Sequence, residues 1–177
     1  LFQIKSDIKG QYINKNIHLS PFIDGGGQER SMRSGTENVA GIVGLSKAIE
    51  SAAAKIEEHL EHLEKLRSYF IQRLQNSKLA SKVSYNGRLD QSYHAKVLSV
   101  NFDTTIASDM LLFKLDLAGI SCSGGSACSS GAMKGSSVLM ALGVSEQLKT
   151  VRFSFSKDNS ITEIDFCIQK LEEILSK

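Results

Sequence analysis

Between Thr36 and Gln75 apolar side chains recur at helical spacing: Val39, Ile42, Val43, Ile49, Ala53, Ile56, Leu60, Leu63, Phe70 and Leu74. Glu57, Glu58, Glu61, Glu64, Lys65 and Arg67 fill other positions, so the pattern is that of an amphipathic helix. Thr36 is the expected N-cap, Glu37 suits the first turn, and Ala52-Ala53-Ala54 adds helix propensity. The spacing predicts one long helix, or two nearly coaxial ones, over 36–75. A helix of that length commonly bridges two domains or edges an oligomer. His59 and His62 fall in its charged portion without an evident third ligand, so they read as solvent-facing residues and no metal site is expected.

The pattern changes after Lys78. Lys82-Val83-Ser84-Tyr85 and 95–102 alternate as half-buried strands do, separated by the turn-rich Asn86-Gly87-Arg88-Leu89-Asp90. A short amphipathic helix is predicted over 106–117, ended by Gly119, and a brief strand over Ile120-Ser121-Cys122. A helical turn over 138–142 follows, then the strand 150–155, rich in β-branched and aromatic residues. Ser160 and Glu163 have capping-box spacing ahead of a last helix whose apolar face is Ile164, Ile168, Leu171 and Leu175. From Lys82 onward this is an α/β layer domain with its sheet covered mainly on one side. Residues 1–20 read as two short strands, and the strand-like Leu1-Phe2-Gln3-Ile4 at the very start suggests a fragment of a longer protein.

At 177 residues the chain can bury its own core without disulfide or metal staples. Its 21 Lys and Arg against 19 Asp and Glu leave a net charge of +2, too near balance to imply nucleic acid. No apolar run reaches the roughly 20 residues that span a membrane. Three widely spaced cysteines suggest neither a disulfide framework nor a zinc ribbon, so a reducing, cytoplasmic setting is expected.

Chemistry concentrates in three places. Cys128 lies in Gly124-Gly125-Ser126-Ala127-Cys128-Ser129-Ser130-Gly131, whose small polar residues fit an exposed, adaptable loop better than a core. Unbonded cysteines are usually buried, so a packed Cys128 is the competing reading. A reactive thiolate needs nearby positive charge, for which Lys134 and Arg152 are candidates. Cys122 and Cys167 read as packed residues. Arg152, inside a strand, could grip a planar carboxylate, although a surface or interface salt bridge is the simpler reading. The third place is the polar run 25–38, which opens on Gly25-Gly26-Gly27. With a helix starting near Thr36 it would suit an anion, and a glycine-rich linker is the alternative.

Gly25-Gly26-Gly27-Gln28-Glu29-Arg30 with Arg33-Ser34-Gly35-Thr36-Glu37-Asn38, then Gly125-Ser126-Ala127-Cys128, then Val151-Arg152-Phe153-Ser154, resembles the NifS/IscS-like cysteine desulfurases in order and spacing. The resemblance covers nearly all of the chain but about the C-terminal half of such an enzyme. It implies an α/β protein of the fold-type-I pyridoxal-phosphate transferases. Residues 1–40 would end the large domain, 41–76 would form the connecting helix, and 77–177 would be the small α/β domain.

It further implies a homodimer that takes sulfur from L-cysteine, releases alanine and hands the sulfur to an acceptor protein, as in iron–sulfur cluster assembly. Cys128 then resembles the persulfide-forming nucleophile and Arg152 the arginine that binds the substrate carboxylate. Thr36 resembles the threonine that reaches the cofactor phosphate of the other subunit, with Gly35 shaping that turn. Gln28, Glu29, Arg30 and Arg33 resemble the scaffold around it. The lysine that carries pyridoxal phosphate, the aspartate at its ring nitrogen and the histidine stacked on it match no residue here, so the 177-residue chain alone is expected to be inactive. The alternatives are a dimerisation or sulfur-acceptor module without catalysis, and a relative of the selenocysteine lyases.

Overall fold

The structure is a computed structural model that describes residues 14–89, 95–124 and 136–176. The chain divides into two compact units, Leu1–Ile56 and Glu57–Lys177. Its regular elements, in chain order, are α1 (Val39–Ala53), α2 (Ile56–Gln75), β1 (Val83–Asn86), β2 (Val97–Asp103), α3 (Ser108–Leu117), β3 (Ser123–Gly124), α4 (Ser137–Ala141), β4 (Leu148–Ser154) and α5 (Ile161–Leu175). Short 3-10 turns occupy Gln28–Ser31 and Ala80–Lys82.

In the first unit the helix begins later than the sequence predicts. Asn38, not Thr36, is the N-cap of α1, its side-chain oxygen accepting from the Gly41 amide at 3.1 Å. Both residues are good caps, and Thr36 is taken up in the turn that Arg33 holds, its carbonyl accepting from Arg33 Nη1 at 3.4 Å, so capping falls to Asn38. The expected continuous helix is also interrupted, at Ala54–Lys55. Glu57 and Glu58 occupy the first turn of α2 and Arg73 its last, the charge placement that favours a helix starting afresh. Of the expected strands in 1–20, positions 1–13 lie outside the described residues, and 14–20 contain no strand.

In the second unit, β1, β2, β4 and β3 lie side by side in that order, every adjacent pair antiparallel. The brief strand expected at 120–122 falls at Ser123–Gly124. Alternation splits each strand between two faces. One is apolar: Leu98 sits opposite Phe153 and Val100 opposite Val151, all buried. Against it packs α2, whose Leu63, Leu66, Phe70 and Leu74 form a single stripe, with the Phe70 ring 4.8 Å from that of Phe153 and 5.6 Å from that of Phe155. Leu111 and Leu115 of α3 and Ile164, Ile168, Leu171 and Leu175 of α5 complete the same core. Each such side chain contributes about 1.5–3 kcal/mol by leaving water. This one-sided cover, read from the sequence, leaves the opposite face of the sheet to polar residues.

Two further contacts tie helices to one another. The Asp165 carboxylate on α5 accepts from Arg73 Nε at 2.7 Å and from the Tyr69 hydroxyl at 2.9 Å, both on α2. His62 is half-buried and lies 3.0 Å from the Asn159 carbonyl, so it braces the turn before α5 rather than facing solvent. Among the described residues no three His, Cys, Asp or Glu side chains could hold a metal. Nor, among them, is any helix long and apolar enough to cross a membrane.

Candidate functional site

The polar face of the sheet is built by register. Ser99 of β2 pairs with Asn86 on one side and Arg152 on the other; Asn101 pairs with Ser84 and Thr150; and Ser123 of β3 pairs with Arg152. Seven hydrogen-bonding side chains thus share one surface. The amides of Asn86 and Asn101 are reciprocal partners, each Nδ2 donating to the other's Oδ1 at 2.8 Å. Asn101 Oδ1 also accepts from the Thr150 hydroxyl at 2.6 Å, and Asn86 Nδ2 also donates to Ser99 Oγ at 3.0 Å. Asn101 and Thr150 are buried, so this pairing is what makes their burial tolerable.

Arg152 stands at the edge of the network and is exposed. Its Nε donates to Ser123 Oγ at 3.1 Å. Among the described residues it has no carboxylate partner, so the ion-pair reading of this arginine finds no support there. Cys128 and Lys134 both lie in 125–135, outside the described residues.

The other two cysteines are shielded from chemistry. Burial, helped by the negative charge of Asp116, pushes the half-buried Cys122 thiol up to about 11. Burial pushes that of Cys167 up to about 12, with Cys122 contributing. Thiolate is the nucleophile, so neither is poised to react near neutral pH.

The run 23–38, in the first unit, folds back on itself around Arg33. One of its terminal nitrogens, Nη1, donates to the Gly35 carbonyl at 2.7 Å, and the other, Nη2, to the Glu37 carboxylate at 3.0 Å, with Glu29 at 3.6 Å. Gln28 Oε1 accepts from the Gly35 amide at 3.2 Å, and the Ser34 hydroxyl donates to the Gly26 carbonyl at 2.6 Å. Gly35 has φ +106°, a conformation that side chains disfavour, and a Cβ at Gly25 would come within 3.1 Å of Ser34 Cβ. Three consecutive residues without that licence, Glu29, Arg30 and Ser31, adopt φ of 49°, 58° and 65°. Strain of this kind persists only where the surroundings impose it.

Thr36 is exposed and, freed from capping, has a hydroxyl without a hydrogen-bond partner among the described residues. The Gly35 amide is already engaged by Gln28, so of the two only Thr36 offers a free donor to a phosphate. Thr36 and Gly35 belong to the first unit, Arg152 and Ser123 to the second.

Comparison with known proteins gives these positions a context. Residues 17–166 match the family Aminotransferase class-V. The chain is 37% identical over 169 residues to a cysteine desulfurase IscS of Dictyoglomus turgidum and 39% identical over 168 residues to one of Methanosarcina thermophila. Each alignment takes in 94% of this chain but only 42% and 40% of the respective relative. Among solved structures, a NifS-like protein superposes with a TM-score of 0.76 at 37% identity, over 93% of this chain and 41% of that one. A NifS-like protein from Rickettsia africae gives 0.70 at 28% identity, over 90% and 41%.

Proposed function

Because the chain belongs to the class-V aminotransferases, in their NifS/IscS-like branch, and has their fold-type-I architecture, we propose that it is the C-terminal part of a pyridoxal-phosphate-dependent cysteine desulfurase. The reaction converts L-cysteine to L-alanine and leaves the sulfur as a persulfide on Cys128. The observation that carries this reading is Arg152: an exposed guanidinium without a carboxylate partner among the described residues, on the strand that pairs with Ser123-Gly124, a few positions before Cys128 in sequence.

The balance is simple. Cysteine and the Cys128 thiol become alanine and the Cys128 persulfide; the substrate's C–S bond breaks, an S–S bond forms, and the thiol proton is matched by a proton gained at the substrate carbon. Pyridoxal phosphate, when bound, supplies the electron-withdrawing system that makes cleavage of the C–S bond feasible. The chain's own residues do the rest. Arg152 holds the substrate carboxylate through two parallel bonds, and Cys128 attacks as thiolate and keeps the sulfur. Cys122 and Cys167, with thiols raised to about 11 and about 12, do not compete.

The free Thr36 hydroxyl fits one contact to a cofactor phosphate presented by a second subunit, on a turn whose shape Gly35 sets. No residue of this chain is assigned to hold the cofactor ring. The whole protein is then a cytoplasmic homodimer that passes sulfur to an acceptor protein. Residues 1–40 would end its large domain, 41–76 the helical connection, and 77–177 its small domain.

The test is made on the full-length protein loaded with pyridoxal phosphate. Cys128→Ser retains the cofactor and loses persulfide, detected by mass spectrometry, while Arg152→Ala raises the KM for L-cysteine. Full persulfide yield in the Cys128 variant would overturn the reading. Turnover of selenocysteine but not cysteine would move it to the selenocysteine lyases, and a protein that takes up no cofactor yet accepts sulfur would make it an acceptor module.

A further inference from the structure

Resting on the proposed role of Arg152, we infer that Ser123 is a positioning residue for carboxylate recognition. A guanidinium carries five N–H donors and can meet a carboxylate end-on, through Nη1 and Nη2, or side-on, through Nε and one Nη. In this chain Nε–H is already donated to Ser123 Oγ at 3.1 Å, which closes the side-on approach and leaves the end-on edge open. The bond also restrains an exposed side chain that otherwise has many rotamers, so less freedom is lost when the carboxylate arrives.

Backbone geometry makes the arrangement specific. Ser123 is the strand partner of Arg152, and Gly124 of Val151, so the pairing of β3 with β4 fixes the backbone from which the Ser123 hydroxyl reaches the arginine. A Cβ at Gly124 would lie 3.1 Å from Leu112 Cδ1, and this close packing against α3 holds the two-residue strand in place. The hydroxyl that aims Arg152 therefore stands on a strand whose position is fixed by its pairing with β4.

The experiment is a double-mutant cycle in the full-length, cofactor-loaded protein, reading both the KM for L-cysteine and the dissociation constant of the product L-alanine. A hydrogen bond to a charged group predicts that Ser123→Ala raises both about tenfold, with kcat changed far less. Ser123→Thr, which keeps the hydroxyl, restores them. Arg152→Lys has no Nε–H, so Ser123→Ala adds no further rise in that background. An equal rise in both backgrounds, or none in the native one, would overturn the inference. Should Arg152→Lys itself leave both constants unchanged, the assignment of Arg152 to the carboxylate fails instead.

Discussion

Whether a cysteine can react is decided by what surrounds its sulfur. Cys122 and Cys167 have thiols raised by burial to about 11 and about 12, so at pH 7.5 both are protonated. Iodoacetamide at that pH is expected to alkylate Cys128 and spare the other two, as peptide mass mapping would read; labelling of Cys122 at a comparable rate would contradict its burial. Asp165 gives a second residue-scale prediction. Hydrogen bonds from Arg73 and then Tyr69 hold its carboxyl below the ordinary 3.8. A lowered folded value means that the stabilisation is complete above 3.8 and is lost as pH falls through the folded value. The gap in unfolding midpoint between the native protein and Asp165→Asn should therefore stay constant from neutral pH down to about 4 and close below it. Cys128 and Arg152 were marked as candidates by residue type and neighbours. Ser123 was not, because one serine among many carries no local signal.

At the scale of elements, each helix shows how much of its boundary is local. For α5, Ser160 accepts from the Glu163 amide at 3.3 Å and Glu163 accepts from the Ser160 amide at 2.7 Å, the reciprocal box that the sequence spacing predicts. Ser160→Ala should cost about 1 kcal/mol in denaturant unfolding; a change below about 0.3 kcal/mol would mean that packing of the apolar face fixes this end by itself. For α1 the local signal was ambiguous, since Thr36 and Asn38 both suit a cap and the choice depended on the turn that Arg33 holds. The break at Ala54–Lys55 was harder still: an alanine run favours continuity, and only the acidic pair Glu57-Glu58 hints at a new start. Strands were legible by alternation, and β3 slipped by a few residues because a two-residue strand is specified by its partner β4 rather than by its own sequence.

For the whole molecule, the two units differ in how they bury apolar surface. The second encloses a continuous core between its sheet and α2, α3 and α5, whereas α1 buries none of its residues and exposes Val39, Ile42, Val43 and Ile49. Contiguous apolar surface of this kind seeks cover. The 177-residue chain by itself is thus expected to bind a hydrophobic dye and to sediment above its monomer mass of 19.3 kDa; a monodisperse, dye-silent monomer would show that α1 needs no partner. Periodicity, composition and motif order were enough to mark the helical segments, though not the start of α1 or the break at Ala54–Lys55, together with the main strands of the second unit, the one-sided α/β layering and the family resemblance, because each is written within a few neighbouring residues. The polar face was beyond them. Its pairs join residues 29 apart for Arg152 with Ser123 and 49 apart for Thr150 with Asn101. Alternation says only that Ser99 and Asn101 share a face. Which strands flank them, and in what register, is set by the burial of Leu98, Val100, Val151 and Phe153 on the opposite side, a property of the assembled core.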